Sequence, residues 1–136
     1  MKLFKRMRDG GPESPVIGYF LIEIKSLFSI VLLHFGGTRE NFHSHAFNAV
    51  TFWLKGRVQE KIVSALGKEY GHAWTAGNLK YTPRGLMHKV VPITDAWAIS
   101  FRGPWSKTWQ EFSPTENKTT TLTHGRKVVE IEYFVK

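Results

Sequence analysis

A chain of 136 residues, 42% hydrophobic and 14% aromatic, is sized for one domain with a full core. It has no cysteine, which excludes disulfides, thiolate metal sites and a cysteine nucleophile and fits a reducing, cytoplasmic setting. Its 19 basic and 11 acidic residues leave a net charge of +8, which favours an anionic partner, with plain solubility as the competing explanation.

The first eight residues are basic, and Gly10, Gly11, Pro12 and Pro15 follow. Residues 1–15 therefore read as an extended basic arm, and 16–136 as a single domain. No apolar core of a signal peptide is present in the arm. The apolar run 16–35 is interrupted by Glu23, Lys25 and Ser26, so it predicts two strands, 16–23 and 27–35, and no membrane span.

Residues 42–54 predict the central strand. Side chains alternate along a strand, so His43, His45, Phe47, Ala49, Thr51 and Trp53 share one face. Lys55-Gly56 turns into a strand over 57–65. Residues 67–71 read as a loop and 73–75 as a short strand. Pro83-Arg84-Gly85 is a sharp turn into a strand that begins about Met87 and sets His88 and Val90 on one face. Strand 96–101 follows the turn at Thr94-Asp95. Residues 105–112 hold two tryptophans and a phenylalanine among polar neighbours, 113–123 read as a polar loop, and 127–135 alternate as a half-solvated strand. Many short strands with Gly and Pro punctuation, and no amphipathic helix, predict an all-β barrel or sandwich.

Two histidines at i and i+2, with a third further on, suit a divalent metal. Their setting is patterned as well. The first stretch is Gly37, five residues, His43-Ser44-His45, three residues, Ala49, six residues, Gly56. The second is Gly77, five residues, Pro83-Arg84-Gly85, two residues, His88, three residues, Pro92. These resemble the two motifs of the cupin superfamily at eight of ten positions. Ala49 stands where cupins usually carry a glutamate ligand, and Pro92 where they carry asparagine. Residues 100–112, with Gly103-Pro104, a basic position, then Trp109 and Phe112, are similar to a family of small cupins found largely in phages and bacteria.

The resemblance implies a double-stranded β-helix, or jelly-roll barrel, in which His43, His45 and His88 converge on a divalent metal. Fe(II) is the first choice; zinc, manganese and nickel accept the same donors. Without the glutamate, three neutral ligands leave the full +2 charge to attract an anion. Such three-histidine sites resemble those of cupin thiol dioxygenases. Glu60 is the candidate replacement carboxylate. Arg102 is the candidate clamp for a carboxylate or phosphate, and Trp53 and Tyr81 are candidate pocket walls. His34 is placed near the pocket, and His72 and His124 in loops. The expected function is a metal-binding cupin acting on a small anionic molecule, with an Fe(II)-dependent dioxygenase as its specific form. The alternative is a non-catalytic module that sequesters or senses such an anion. A homodimer is considered, with the C-terminal strand and the tryptophan-rich segment as interface. Net charge alone is a weak reason to expect nucleic acid.

Overall fold

β-Branched and aromatic residues in short alternating runs set the chain into strands. The computed structural model describes residues 1–9, 14–38, 42–64, 68–123 and 127–133. Among them are β1 (Lys2–Arg8), β2 (Val16–Ile24), β3 (Phe28–Phe35), β4 (Phe42–His43), β5 (Ala49–Lys55), β6 (Arg57–Val63) and β7 (Glu69–Thr75). There follow β8 (Leu79–Thr82), β9 (Met87–Pro92), β10 (Ala96–Arg102), β11 (Thr108–Ser113), β12 (Lys118–Thr123) and β13 (Val128–Tyr133). One sheet runs β1-β2-β3-β10-β5-β8 and the other β13-β12-β11-β4-β9-β6-β7, with every pairing antiparallel. Their inner faces meet in a core of Phe20, Val31, Leu33, Phe35 and Trp53 from the first sheet and Val58 from the second. This is an all-β jelly roll.

The central stretch is not one strand. β4 belongs to the seven-stranded sheet and β5 to the six-stranded one, and residues 44–48 carry the chain between them. Short polar side chains compete with the ladder for backbone groups there. The Ser44 hydroxyl accepts from Gln110 N–H at 3.0 Å, and Asn48 Oδ1 accepts from Arg84 N–H at 2.7 Å. Gly56 then turns β5 into β6 at φ +82°, where a Cβ would stand 2.1 Å from the Asp95 carbonyl oxygen. Only glycine fits that position.

The basic N-terminal arm expected from sequence carries β1, which lies along β2 from Lys2 opposite Glu23 to Arg8 opposite Ile17. Its charges suit an exposed sheet edge. The threonine-rich part of the expected loop 113–123 is strand β12, as β-branching allows. Gly71, expected in a loop, lies within β7.

Candidate metal centre

β4 and β9 lie side by side, with His43 directly opposite His88. Opposed residues of an antiparallel pair project from the same face, so this register alone brings two imidazoles together. His45 follows in the irregular crossing segment. The three rings form a near-equilateral group: centroids are 4.9 Å apart for His43–His45, 4.9 Å for His43–His88 and 5.0 Å for His45–His88. The ring nitrogens they offer all lie within 4.8 Å of one another. Three neutral imidazoles are a donor set that first-row divalent ions accept.

Behind His88 lies a buried polar group. His88 Nδ1 and Glu60 Oε2 are 2.5 Å apart, Trp74 Nε1 donates to Glu60 Oε1 at 3.2 Å, and the Lys80 ammonium pairs with Glu60 Oε2. A carboxylate on Nδ1 fixes the tautomer and leaves Nε2 as the nitrogen with which His88 would ligate a metal. Glu60 therefore orients a ligand and is not itself among the converging donors. Burial works against the Glu60 charge, but the His88 hydrogen bond and the Lys80 charge outweigh it and hold its carboxyl down at about 2. Burial moves Lys80 the other way, below the usual ammonium range, although Glu60 opposes it.

The histidines open onto a cavity of about 690 Å³ between the sheets. His43, His45, Phe47, Ala49, Thr51 and Trp53 all line it, and so do Ser44 and Ala46, which strict alternation would turn away, because the strand is broken there. Ala49 is buried on the histidines' side, where the cupin pattern has its glutamate.

Arg102 also lines the cavity and is buried. Its Nη1 donates to Asp9 Oδ1 at 3.1 Å and its Nη2 to Asp9 Oδ2 at 2.7 Å, while the guanidinium stacks 4.7 Å from the Phe47 ring centre. Two buried donors in the cavity wall, Arg102 Nε and Trp53 Nε1, have no hydrogen-bond acceptor among the described residues.

Tyr81 does not wall this cavity. It lies on the outer face of β8 and is 62% exposed. His34 is also outside, hydrogen-bonded to Asp95 at 2.6 Å and stacked on Trp97. His72 is an exposed residue of β7, not of a loop, and His124 falls outside the described residues. Sequence reasoning overlooked Lys80 and Asp9. Lys80 was signalled by the inverted alternation of β8, where Lys80 and Thr82 are buried and Leu79 and Tyr81 exposed.

No family model matches the chain, and neither does any curated protein. Among solved structures, oxalate decarboxylase from Bacillus subtilis matches 77% of this chain with 29% of its own, at a TM-score of 0.57 and 18% identity. A structure of the same enzyme concerned with its Mn(II) centres matches 76% of this chain with 29% of its own, at a TM-score of 0.57 and 16% identity. The protein has a cupin fold. This cupin barrel thus spans under a third of that decarboxylase chain. An oxalate oxidase matches 57% of this chain with 42% of its own, at a TM-score of 0.49 and 27% identity.

Proposed function

We propose that this cupin binds one divalent metal through His43, His45 and His88 and acts on a small carboxylate, with Fe(II)-dependent oxygenation as the reaction. The observation that carries this is an all-imidazole donor group beside Ala49, opening onto a cavity that also holds a buried arginine. A metal held by three neutral ligands keeps its full charge, so it supplies Lewis acidity toward an anionic group and, as iron, reactivity with dioxygen.

The chain's own residues supply the rest. Arg102 presents a planar fork suited to a carboxylate. Asp9 fills that fork here, and its carboxylate marks the shape a substrate carboxylate would take. Trp53 Nε1 and Arg102 Nε are donors for further ligand oxygens, because a buried donor left unmatched costs about 1–3 kcal/mol. Phe35 and Trp53 make the wall apolar, which strengthens each of these contacts. The oxalate named for the fold neighbour is such a small anion, which makes it the first probe.

The test is elemental analysis of anaerobically purified protein beside His43→Ala, followed by oxygen uptake with Fe(II) against oxalate, other small carboxylates and small thiols. One equivalent of iron, absent from the variant, with substrate-dependent uptake, supports the proposal. Metal without turnover of any of these removes the oxygenase reading. If no metal is present and none is taken up on reconstitution, the metal site fails, and a metal-free anion-binding module takes its place.

A further inference from the structure

β1 is tied to the barrel at its two ends. At one end the Lys2 ammonium pairs with Glu23 Oε1 at 3.0 Å, and Glu23 is buried. At the other, Asp9 stands just past the strand and fills the fork of Arg102, which is also buried. Glu23 and Arg102 both line the cavity onto which the histidines open. They belong to one row of the sheet, since Arg102 lies opposite Ser29 and Ser29 opposite Glu23. Among the described residues neither has another ion-pair partner.

Little holds the strand between these ends. Residues 3–8 are all exposed and none joins the core. β1 is the edge of its sheet, with β2 as its neighbour. The register is interrupted at Phe4: Leu3 lies opposite Ile22 and Lys5 opposite Phe20, while Phe4 has φ +50° and is 78% exposed. A side chain with a Cβ is crowded in that left-handed region, so β1 carries a strained kink. Segments with exposed ladder bonds and little apolar burial open before the body of a protein does. Met7 and Arg8 are exposed and yet line the cavity, so this strand borders its mouth.

We infer that β1 is a strap across that mouth, and that an anion reaching Arg102 releases it by taking the place of Asp9. Closed, the strap neutralises both buried charges with its own ammonium and carboxylate. Open and without ligand, Arg102 is a buried guanidinium stripped of its counter-charge, which is costly. The closed state is therefore the resting one. A carboxylate on Arg102 removes that cost only in the open state, and such a difference in affinity is what shifts an equilibrium. The apparent affinity for the anion is lowered by the fraction of molecules that stay closed. Release at Asp9 frees residues 5–8 first, because the Lys2–Glu23 tie lies on the far side of the kink. The opening is a property of β1 itself; its trigger rests on the proposed anion site at Arg102.

Hydrogen–deuterium exchange read by mass spectrometry tests the opening without any ligand. Residues 5–8 should exchange about tenfold or more faster than β10, and saturating malonate should raise their exchange further. A lock tests the role at the mouth. Arg6 and Tyr19 are opposite in register, do not line the cavity, and the chain has no cysteine of its own. Arg6→Cys with Tyr19→Cys therefore gives one defined disulfide between β1 and β2. The oxidised lock should bind malonate about tenfold or more weakly than wild type, and reduction should restore binding. A lock that binds malonate as wild type does overturns the inference. So does β1 exchanging as slowly as β10, a result that needs no variant and decides the matter if the lock does not form. If malonate binds no form of the protein, the anion site at Arg102 fails. Fast ligand-free exchange of residues 5–8 then still supports the strap, and slow exchange overturns it.

Discussion

The Glu60 carboxylate and the His88 imidazole sit 2.5 Å apart inside the protein, and their strands β6 and β9 are paired. The negative charge that the cupin pattern places directly on the metal is here one imidazole further back. In the proposed centre Ala49 offers no ligand, and Glu60 polarises one of the three imidazoles. Lys80 and Trp74 hold Glu60 in turn, so the group fixes the orientation of His88 before any metal arrives.

Glu60→Gln should therefore weaken metal binding without removing it. Loss of a carboxylate behind a ligating histidine typically costs about 10–100-fold in affinity. Competition with a chromophoric chelator measures this. Unchanged affinity would mean that Glu60 serves only to neutralise Lys80.

The same residue should make metal-free protein acid-sensitive. The folded carboxyl of Glu60 sits at about 2, below its value of 4.5 in an open chain. The unfolded chain thus takes up the proton first as pH falls. The stabilisation is complete above about pH 4.5 and is lost as pH drops toward 2, and it amounts to roughly 3 kcal/mol at most. Urea unfolding of chelator-treated protein at pH 6, 4 and 3 should show this slope. Glu60→Gln should flatten it, starting from a lower stability because the Lys80 ammonium loses its buried partner.

Restoring the missing carboxylate bears on both sites. Ala49 is opposite Arg102 in the β5–β10 register, and both side chains face the cavity. Ala49→Glu therefore brings a carboxylate within reach of the histidines and of the guanidinium. Metal affinity should rise, and binding of small carboxylates should fall because the added charge repels them. Calorimetry with Mn(II), then with malonate, separates the two effects. Loss of the folded β-sheet signal would instead show that the buried Ala49–Phe47 packing tolerates no added volume.

Much of this was legible in sequence because the information is local. His43, His45 and Ala49 reach the cavity as their spacing suggested, although residues 44–48 leave the sheet and Ser44 and Ala46 line the cavity beside them. Motif spacing located His88 because a turn and a strand of fixed length separate it from Gly77. Features set by distant partners were not legible. β1 is held by backbone bonds to β2 and needs no apolar pattern of its own. β12 looks polar, yet threonine suits a strand. Tyr81 seemed to belong to the pocket because an aromatic beside a motif suggests a wall, but the parity of β8 turns it outward and Lys80 in. Asp9 and Arg102 are 93 residues apart, and no periodicity relates them.

That last pair gives the sharpest test of ligand chemistry. Asp9 stands just beyond β1, its backbone N–H bonded to the Val16 carbonyl at 2.8 Å, and its carboxylate takes both ends of the Arg102 fork. An incoming carboxylate must compete with it. Asp9→Asn retains the shape and the backbone bond but removes the charge, which frees the guanidinium for an external anion. Malonate should bind this variant about tenfold or more tightly, since a charged hydrogen bond is worth about 1.5–3 kcal/mol. Arg102→Lys in the same background should cancel the gain, because an ammonium cannot reproduce the fork. The variant should also lose stability, as a buried guanidinium is left without its counter-charge, and saturating malonate should restore part of it. If Asp9→Asn is destabilised but malonate neither binds more tightly nor restores stability, the pair is a structural tie between β1 and β10, and the anion site lies elsewhere in the cavity.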